Sequence, residues 1–341
     1  VTIKRSVDHL YSLEHANDDT FYIRSNLEAP NYKIYKSSDI NSLDKSLEEL
    51  VPHNKDIFIS DHLIFDDYLV LEIRENGLPG IQKINLLSKN ATSLTFNEES
   101  YYVSLGYNYD VNNKELFYGY SSPTQPYSIY SQNLLSDEIK MLWNKEIINY
   151  DPEIYTTKRK FIEARDGTLI PVTITHRKNI DLKNSPILFY GYGSYGINTE
   201  AYFRSSIVPL LNRNFIHVLV NIRGGGEMGK HWYEQGRMLN KLNTFHDFND
   251  AVKALLDMGI GNKNKVFAQG GSAGGLLMGA IINFEPDLYK GILSGVPFVD
   301  VLTTMSDASI PLTTFEWDEW GNPENKDEYM YMKQYSPYDN I

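Results

Sequence analysis

Hydrophobic and polar positions follow two regimes along the chain. Up to about Tyr150 the apolar stretches are short and strand-like. TFYIRS follows Asp18-Asp19, YLVLEIRE follows Asp66-Asp67, and KELFYGYSS follows Asn112-Asn113. The runs begin at Thr20, Tyr68 and near Glu115, a period close to 47 residues. Each is followed by a proline (Pro30, Pro79, Pro126) and then by a second run: NYKIYK, GIQKINLL, YSIYSQNLL. Strand, polar turn, strand, Pro/Gly loop and a further strand, repeated at this period, predict the blades of a β-propeller. One such repeat cannot bury both faces, so neighbours must stack. About three blades fit, fewer than the four to eight of a closed propeller. The competing description is a series of unrelated antiparallel hairpins.

Beyond Tyr150 the pattern changes. FIEARDGTLIPVTITHR places two strand-like runs around Asp166-Gly167, a hairpin dipeptide. After Pro186, strands alternate with helices: ILFY, a short helix around Ser205–Leu211, IHVLVNI, a helix across Thr244–Met258, VFA with its helix, and GILSGV. Near-continuous apolar strands suit a parallel sheet buried on both faces.

The stretch KVFAQGGSAGGLLMGAIINF is organised around a serine. An apolar strand runs into Gly270-Gly271-Ser272-Ala273-Gly274, and Leu276, Leu277, Ala280 and Ile281 then recur at helical spacing. The five residues fit G-x-S-x-G, the nucleophile elbow, in which glycines let strand and helix pass closely beneath a raised serine. The Ala273 N–H would then face a developing oxyanion at a helix N-terminus. A glycine-rich strand-to-helix turn can also simply pack, or bind phosphate. The strand before it and the helix after it favour the nucleophile.

Composition narrows the classes. With 42% hydrophobic and 22% charged residues, the 341-residue chain has a core adequate for about two domains. A net charge of −12 argues against non-specific nucleic-acid binding. Without cysteine there are no disulfides or thiolate metal sites, and a reducing compartment is permitted. No apolar run reaches the roughly 18 residues of a membrane helix, and VTIKRSVDHLYSLEH lacks the apolar centre of a secretory leader.

Other constellations carry less. Gly191-Tyr192-Gly193-Ser194-Tyr195-Gly196 matches G-x-G-x-x-G, but INTEAYF after it opens no small-residue helix, and the next strand ends at Asn221-Ile222-Arg223 without an acid for a ribose. Arg223 leaves an NADP site open as an alternative. In Arg223-Gly224-Gly225-Gly226-Glu227 the two charges are expected to pair and hold a loop. His246-Asp247 reads as a surface pair. Glu316-Trp317-Asp318-Glu319-Trp320 sets acids among aromatics, either as a pocket for a cation or as an exposed acidic helix start. All eight histidines precede Ser272, whereas the hydrolase order places both Asp and His after the serine.

Taken together, GGSAGGLLMGA, YGYGSYG, NIRGGGEMGKHWYEQGR and VPFVDVLTTMSDASIPLTTFEWDEWGNP with YSPYDN resemble the prolyl oligopeptidase family of serine peptidases, and most of all its oligopeptidase B branch, which cuts after arginine or lysine. The resemblance implies blades of a seven-bladed propeller over residues 1–155, then a mostly parallel α/β-hydrolase domain over 156–341 whose Asp and His would lie beyond Ile341. The chain would be an internal segment, expected to be inactive alone. By matching position, Ser272 would be the nucleophile, with the Ala273 N–H and Tyr192 hydroxyl as oxyanion donors. Tyr195 would line the pocket, and Glu316 and Asp318 would bind the basic side chain. The relatives carry glutamate at the second of these positions. Glu200 and Tyr202 match a second acidic pair, of which only Glu200 is acidic here. Expected partners are short peptides with basic residues in the cytoplasm, with no metal, cofactor, nucleic acid or membrane. The alternatives are a non-catalytic peptide-binding scaffold and a post-proline oligopeptidase.

Overall fold

The computed structural model describes residues 6–39 and 46–341. Val1–Arg5, part of the stretch inspected for a leader, lie outside them. The chain divides into two compact units, Val1–Ile148 with Met228–Lys230, and Asn149–Glu227 with His231–Ile341.

The first unit holds three four-stranded antiparallel sheets, the blades of a β-propeller. They are β1 (Tyr11–His15), β2 (Phe21–Ser25), β3 (Lys33–Ser37) and β4 (Glu48–Val51); β5 (Ile57–Ile64), β6 (Tyr68–Glu75), β7 (Leu78–Asn85) and β8 (Ala91–Ser93); and β9 (Tyr102–Leu105), β10 (Glu115–Ser121), β11 (Ser128–Asn133) and β12 (Ile139–Asn144). The repeated runs in the sequence are β2, β6 and β10, so the period marks the second strand of each blade. The fourth strands are mostly exposed and carry little alternation to read.

Strand β6 shows why blades need neighbours. Leu69, Leu71 and Ile73 join a core with Tyr22 and Ile34 of the first blade, while Val70 joins another with Val103, Leu116 and Tyr118 of the third. Side chains alternate across a strand, so one strand seals two interfaces. Each buried Leu or Ile contributes about 2 kcal/mol. The polar turns that announce the repeats also meet: Asn17 donates to Asp66 at 3.2 Å and to Asn112 at 2.7 Å, and Lys114 reaches Asp66 at 3.2 Å.

The second unit is built on a six-stranded mixed sheet of order β13-β14-β16-β15-β17-β18. These strands are β13 (Tyr155–Glu163), β14 (Leu169–Arg177), β15 (Ile187–Tyr190), β16 (Ile216–Val220), β17 (Val266–Gly271) and β18 (Gly291–Gly295). The first two form the hairpin around Asp166-Gly167, and β14 meets β16 antiparallel. The remaining pairs are parallel. Burial on both faces holds for β15 and β16 but not for β18, which ends the order and leaves Leu293 50% exposed.

Helices α1 (Val208–Leu211), α2 (Lys230–Glu234), α3 (Leu242–Asp257), α4 (Ala273–Phe284), α5 (Val301–Ser306), α6 (Thr313–Trp320) and α7 (Lys326–Lys333) complete the chain. The helix expected around Ser205–Leu211 is only the single turn α1. In α3, Phe245, Phe248, Val252 and Leu255 are fully buried at helical spacing. That face packs on β13, β14 and α4, and α4 packs on β17 and β18.

Candidate active site

The sheet delivers Ser272 between the end of β17 and the start of α4, at φ 57° and ψ −117°. This is a strained backbone for a residue with a Cβ. The Ser272 N–H donates to Gly295 O at 2.9 Å, and its carbonyl accepts from Gly275 at 2.9 Å and Phe298 at 3.2 Å. Close approach dictates the glycines: a Cβ on Gly270 would lie 2.3 Å from Gly274 O, and one on Gly274 would lie 2.9 Å from Gly191 O. Ser272 itself is exposed, and Ala273 opens α4, so its N–H lacks an intrahelical acceptor.

The turn after β15 brings Tyr192 to the elbow, its ring 3.3 Å from the point a Cβ on Gly274 would occupy, with the Ser272 side chain acting on its phenol. Burial pushes that phenol up, and the serine contact opposes the rise. Three residues on, the Tyr195 hydroxyl donates to Glu316 Oε2 at 2.7 Å, and burial together with this bond pushes the Tyr195 phenol up. Trp320 Nε1 donates to the same oxygen at 3.0 Å and meets the Tyr195 ring edge-on at 5.6 Å. Phe298, whose N–H holds the Ser272 carbonyl, packs its ring 5.3 Å from Trp320. One chain of contacts thus joins the serine to the Glu316 carboxylate.

The structure does not bring Asp318 into that cluster. Residues two apart on a helix do not face each other, and the Asp318 side chain is exposed. Its backbone oxygen accepts from Arg237 at 3.0 Å. Glu200 is half-buried on the loop before α1, and the Arg204 guanidinium lies 4.8 Å over the Tyr202 ring.

Sequence reasoning counted Glu319 only as one acid of a possible cation pocket and gave Lys241 no role. Glu319 shares a helix face with Glu316 and accepts the Tyr195 N–H at 3.0 Å and the Tyr233 hydroxyl at 2.6 Å. Lys241 lies 3.9 Å from Glu319 and donates to Gly193 O at 2.6 Å and Ser194 Oγ at 2.7 Å. Burial pushes the Lys241 ammonium down to about 8, against the pull of Glu319. The i, i+3 spacing of Glu316 and Glu319 was the available signal for one; nothing local marks Lys241.

Several expectations need correction. Arg223 does not pair with Glu227. It forks onto buried Asp247 through Nε at 2.8 Å and Nη2 at 2.5 Å, and reaches Asp166 through Nη1 at 2.7 Å. Glu227 instead accepts from the Thr199 N–H at 2.7 Å and from Asn221 at 3.1 Å. Asp247 is therefore a core group, not part of a surface pair. The NADP alternative loses its guanidinium to this network, and no helix begins at Gly196 to receive a pyrophosphate, since α1 starts at Val208. Among the described residues no group of three or more His, Asp or Glu is placed to hold a metal ion, and no helix is long and apolar enough to cross a membrane.

Two models of one family match the chain: the prolyl oligopeptidase N-terminal β-propeller domain over residues 1–145, and the prolyl oligopeptidase family over residues 201–341. The chain belongs to the prolyl oligopeptidase family. It is 41% identical to dipeptidyl aminopeptidase BI of Pseudoxanthomonas mexicana, over all of this chain and 47% of that protein. It is 38% identical to Protease 2 of Moraxella lacunata, over 97% of this chain and 48% of that one. Among solved structures, oligopeptidase B from Trypanosoma brucei, closed with antipain covalently bound, matches with a TM-score of 0.89 and 36% identity, over 98% of this chain and 48% of that one. The chain spans about half the length of the curated relatives it matches.

Proposed function

We propose that the protein carrying this chain is a serine oligopeptidase that cuts short peptides on the carboxyl side of arginine or lysine. The observation that carries the reading is the strained elbow at Ser272, joined through Phe298 and Trp320 to the Glu316 carboxylate. Ser272 Oγ attacks the scissile carbonyl, and its proton passes to a histidine base of the complete protein. The carbonyl oxygen becomes an oxyanion between the Ala273 N–H and the Tyr192 hydroxyl. Collapse breaks the C–N bond, the base returns the proton to the leaving amine, and water then hydrolyses the acyl ester. Glu316, and with it the exposed Asp318, would neutralise the cation preceding the cut. Glu200 would extend acidic character toward the next subsite.

In the complete protein, Ser272→Ala should abolish both turnover of an Arg-containing peptide and labelling by a fluorophosphonate. Turnover retained by the variant would sink the assignment. The similarity to a dipeptidyl aminopeptidase favours a second reading, removal of dipeptides from free N-termini. Comparing N-blocked with unblocked substrates separates the two.

A further inference from the structure

We infer that Lys241 and Glu319 are positioning residues, a buried ion pair that clamps the turn between the proposed oxyanion phenol and the proposed pocket phenol. The inference rests on the peptidase reading for its consequence, but not for its geometry.

The turn from Tyr192 to Tyr195 is short and unfavourable. Gly193 sits at φ 69° and Tyr195 at φ 60°, so two left-handed residues flank Ser194. For tyrosine such a conformation must be imposed by its surroundings. The pair touches every residue between the two phenols. Lys241 Nζ takes the Gly193 carbonyl and the Ser194 hydroxyl, and Glu319 Oε1 takes the Tyr195 N–H. Both side chains are almost wholly buried, at 1% and 4% exposure, and Nζ lies 5.0 Å above the Trp320 ring.

A buried pair of this kind is weak as a source of stability, because desolvating two charges offsets most of their attraction. Its return is geometric. The same carboxylate that fixes Tyr195 sits one helical turn from Glu316, and its other oxygen is held by Tyr233, whose ring carries Arg237 at 4.9 Å. Tyr192 and Tyr195 are thereby set by one device, which links the stabilisation of the oxyanion to the shape of the pocket.

The test uses the complete protein with Lys241→Met, and Glu319→Leu beside Glu319→Gln, which keeps a carbonyl oxygen for the Tyr195 N–H. Hydrogen exchange of residues 192–197 reads the clamp directly, with residues 273–284 as the internal control. The first two variants should speed exchange about tenfold or more in 192–197 and leave the control segment unchanged; Glu319→Gln should be partly spared. Active-site titration with a fluorophosphonate then gives kcat per competent serine. This value should fall about a hundredfold in Lys241→Met, as a displacement near 1 Å would cause. The preference for Arg over Leu peptides should narrow with it. A purely structural role would lower the number of titrated sites and leave kcat per site and the Arg/Leu ratio alone, which would overturn the inference. Unchanged exchange in 192–197 in both Lys241→Met and Glu319→Leu would overturn it as well. If the parent protein is neither labelled nor active while the exchange pattern appears, the peptidase reading fails and the clamp stands.

Discussion

The Tyr195 hydroxyl and Glu316 Oε2 lie 2.7 Å apart across 121 residues of sequence. Trp320 donates to that same oxygen, so both contacts fix one half of the carboxylate; on the proposed reading Oε1 takes the substrate's cation. A carboxylate held this way is preorganised, and its charge should matter more than its hydrogen bonds. Glu316→Gln should therefore lower kcat/KM about a hundredfold for Arg peptides, the equivalent of a charge-assisted bond, and only a few-fold for neutral ones. Equal losses on both substrates would remove the pocket.

Tyr192 makes a different demand. On the proposed reading its hydroxyl donates to the oxyanion beside Ser272, so it should act in the transition state rather than in the ground state. Tyr192→Phe should lower kcat by about 10²–10³ with KM nearly constant. A rise in KM with kcat unchanged would instead make Tyr192 a substrate-binding group.

These two residues also show what a sequence can display. The elbow was legible because glycine, serine and helical periodicity are all local signals, and the blades were legible because their second strands repeat. Tyr192, Tyr195 and Glu316 were named through resemblance to a family; no local pattern brings residues 121 apart together. The Arg223–Asp247 fork was missed because a buried ion pair between distant elements leaves no periodicity. Reading His246-Asp247 as a surface pair failed for the same reason: in α3 the aspartate turns inward to the Arg223 guanidinium on the loop after β16.

Asp166 gives this network a pH signature. Burial would raise its carboxyl, but the Arg223 bond and the Thr168 N–H outweigh that and hold it down to about 2. A depressed carboxylate contributes stability above its unfolded value near 3.9, and that contribution is lost as pH falls through about 2. Urea unfolding of the parent and of Asp166→Asn should therefore differ by a constant amount at pH 5–7 and converge between about pH 4 and pH 2. A difference independent of pH would mean that the Arg223 bond does not favour the ionised form.

The elbow makes the sharpest structural prediction, because its two adjacent glycines are not equivalent. A Cβ on Gly270 would sit 2.3 Å from Gly274 O, a backbone atom that cannot swing away. A Cβ on Gly271 meets nothing nearer than Gly295 O at 3.5 Å, ordinary contact. Gly274 is intermediate, at 2.9 Å from Gly191 O and 3.3 Å from the Tyr192 ring. Gly270→Ala must push α4 off β17 and should cost several degrees of Tm along with fluorophosphonate labelling of Ser272, an overpacking penalty of about 1–3 kcal/mol or more. Gly274→Ala should keep more of the fold but label slowly, because the displaced atoms belong to the Tyr192 turn. Gly271→Ala should melt and label close to the parent. Finding Gly271→Ala as damaging as Gly270→Ala would show that flexibility, rather than the crossing of strand and helix, is what the motif's glycines provide.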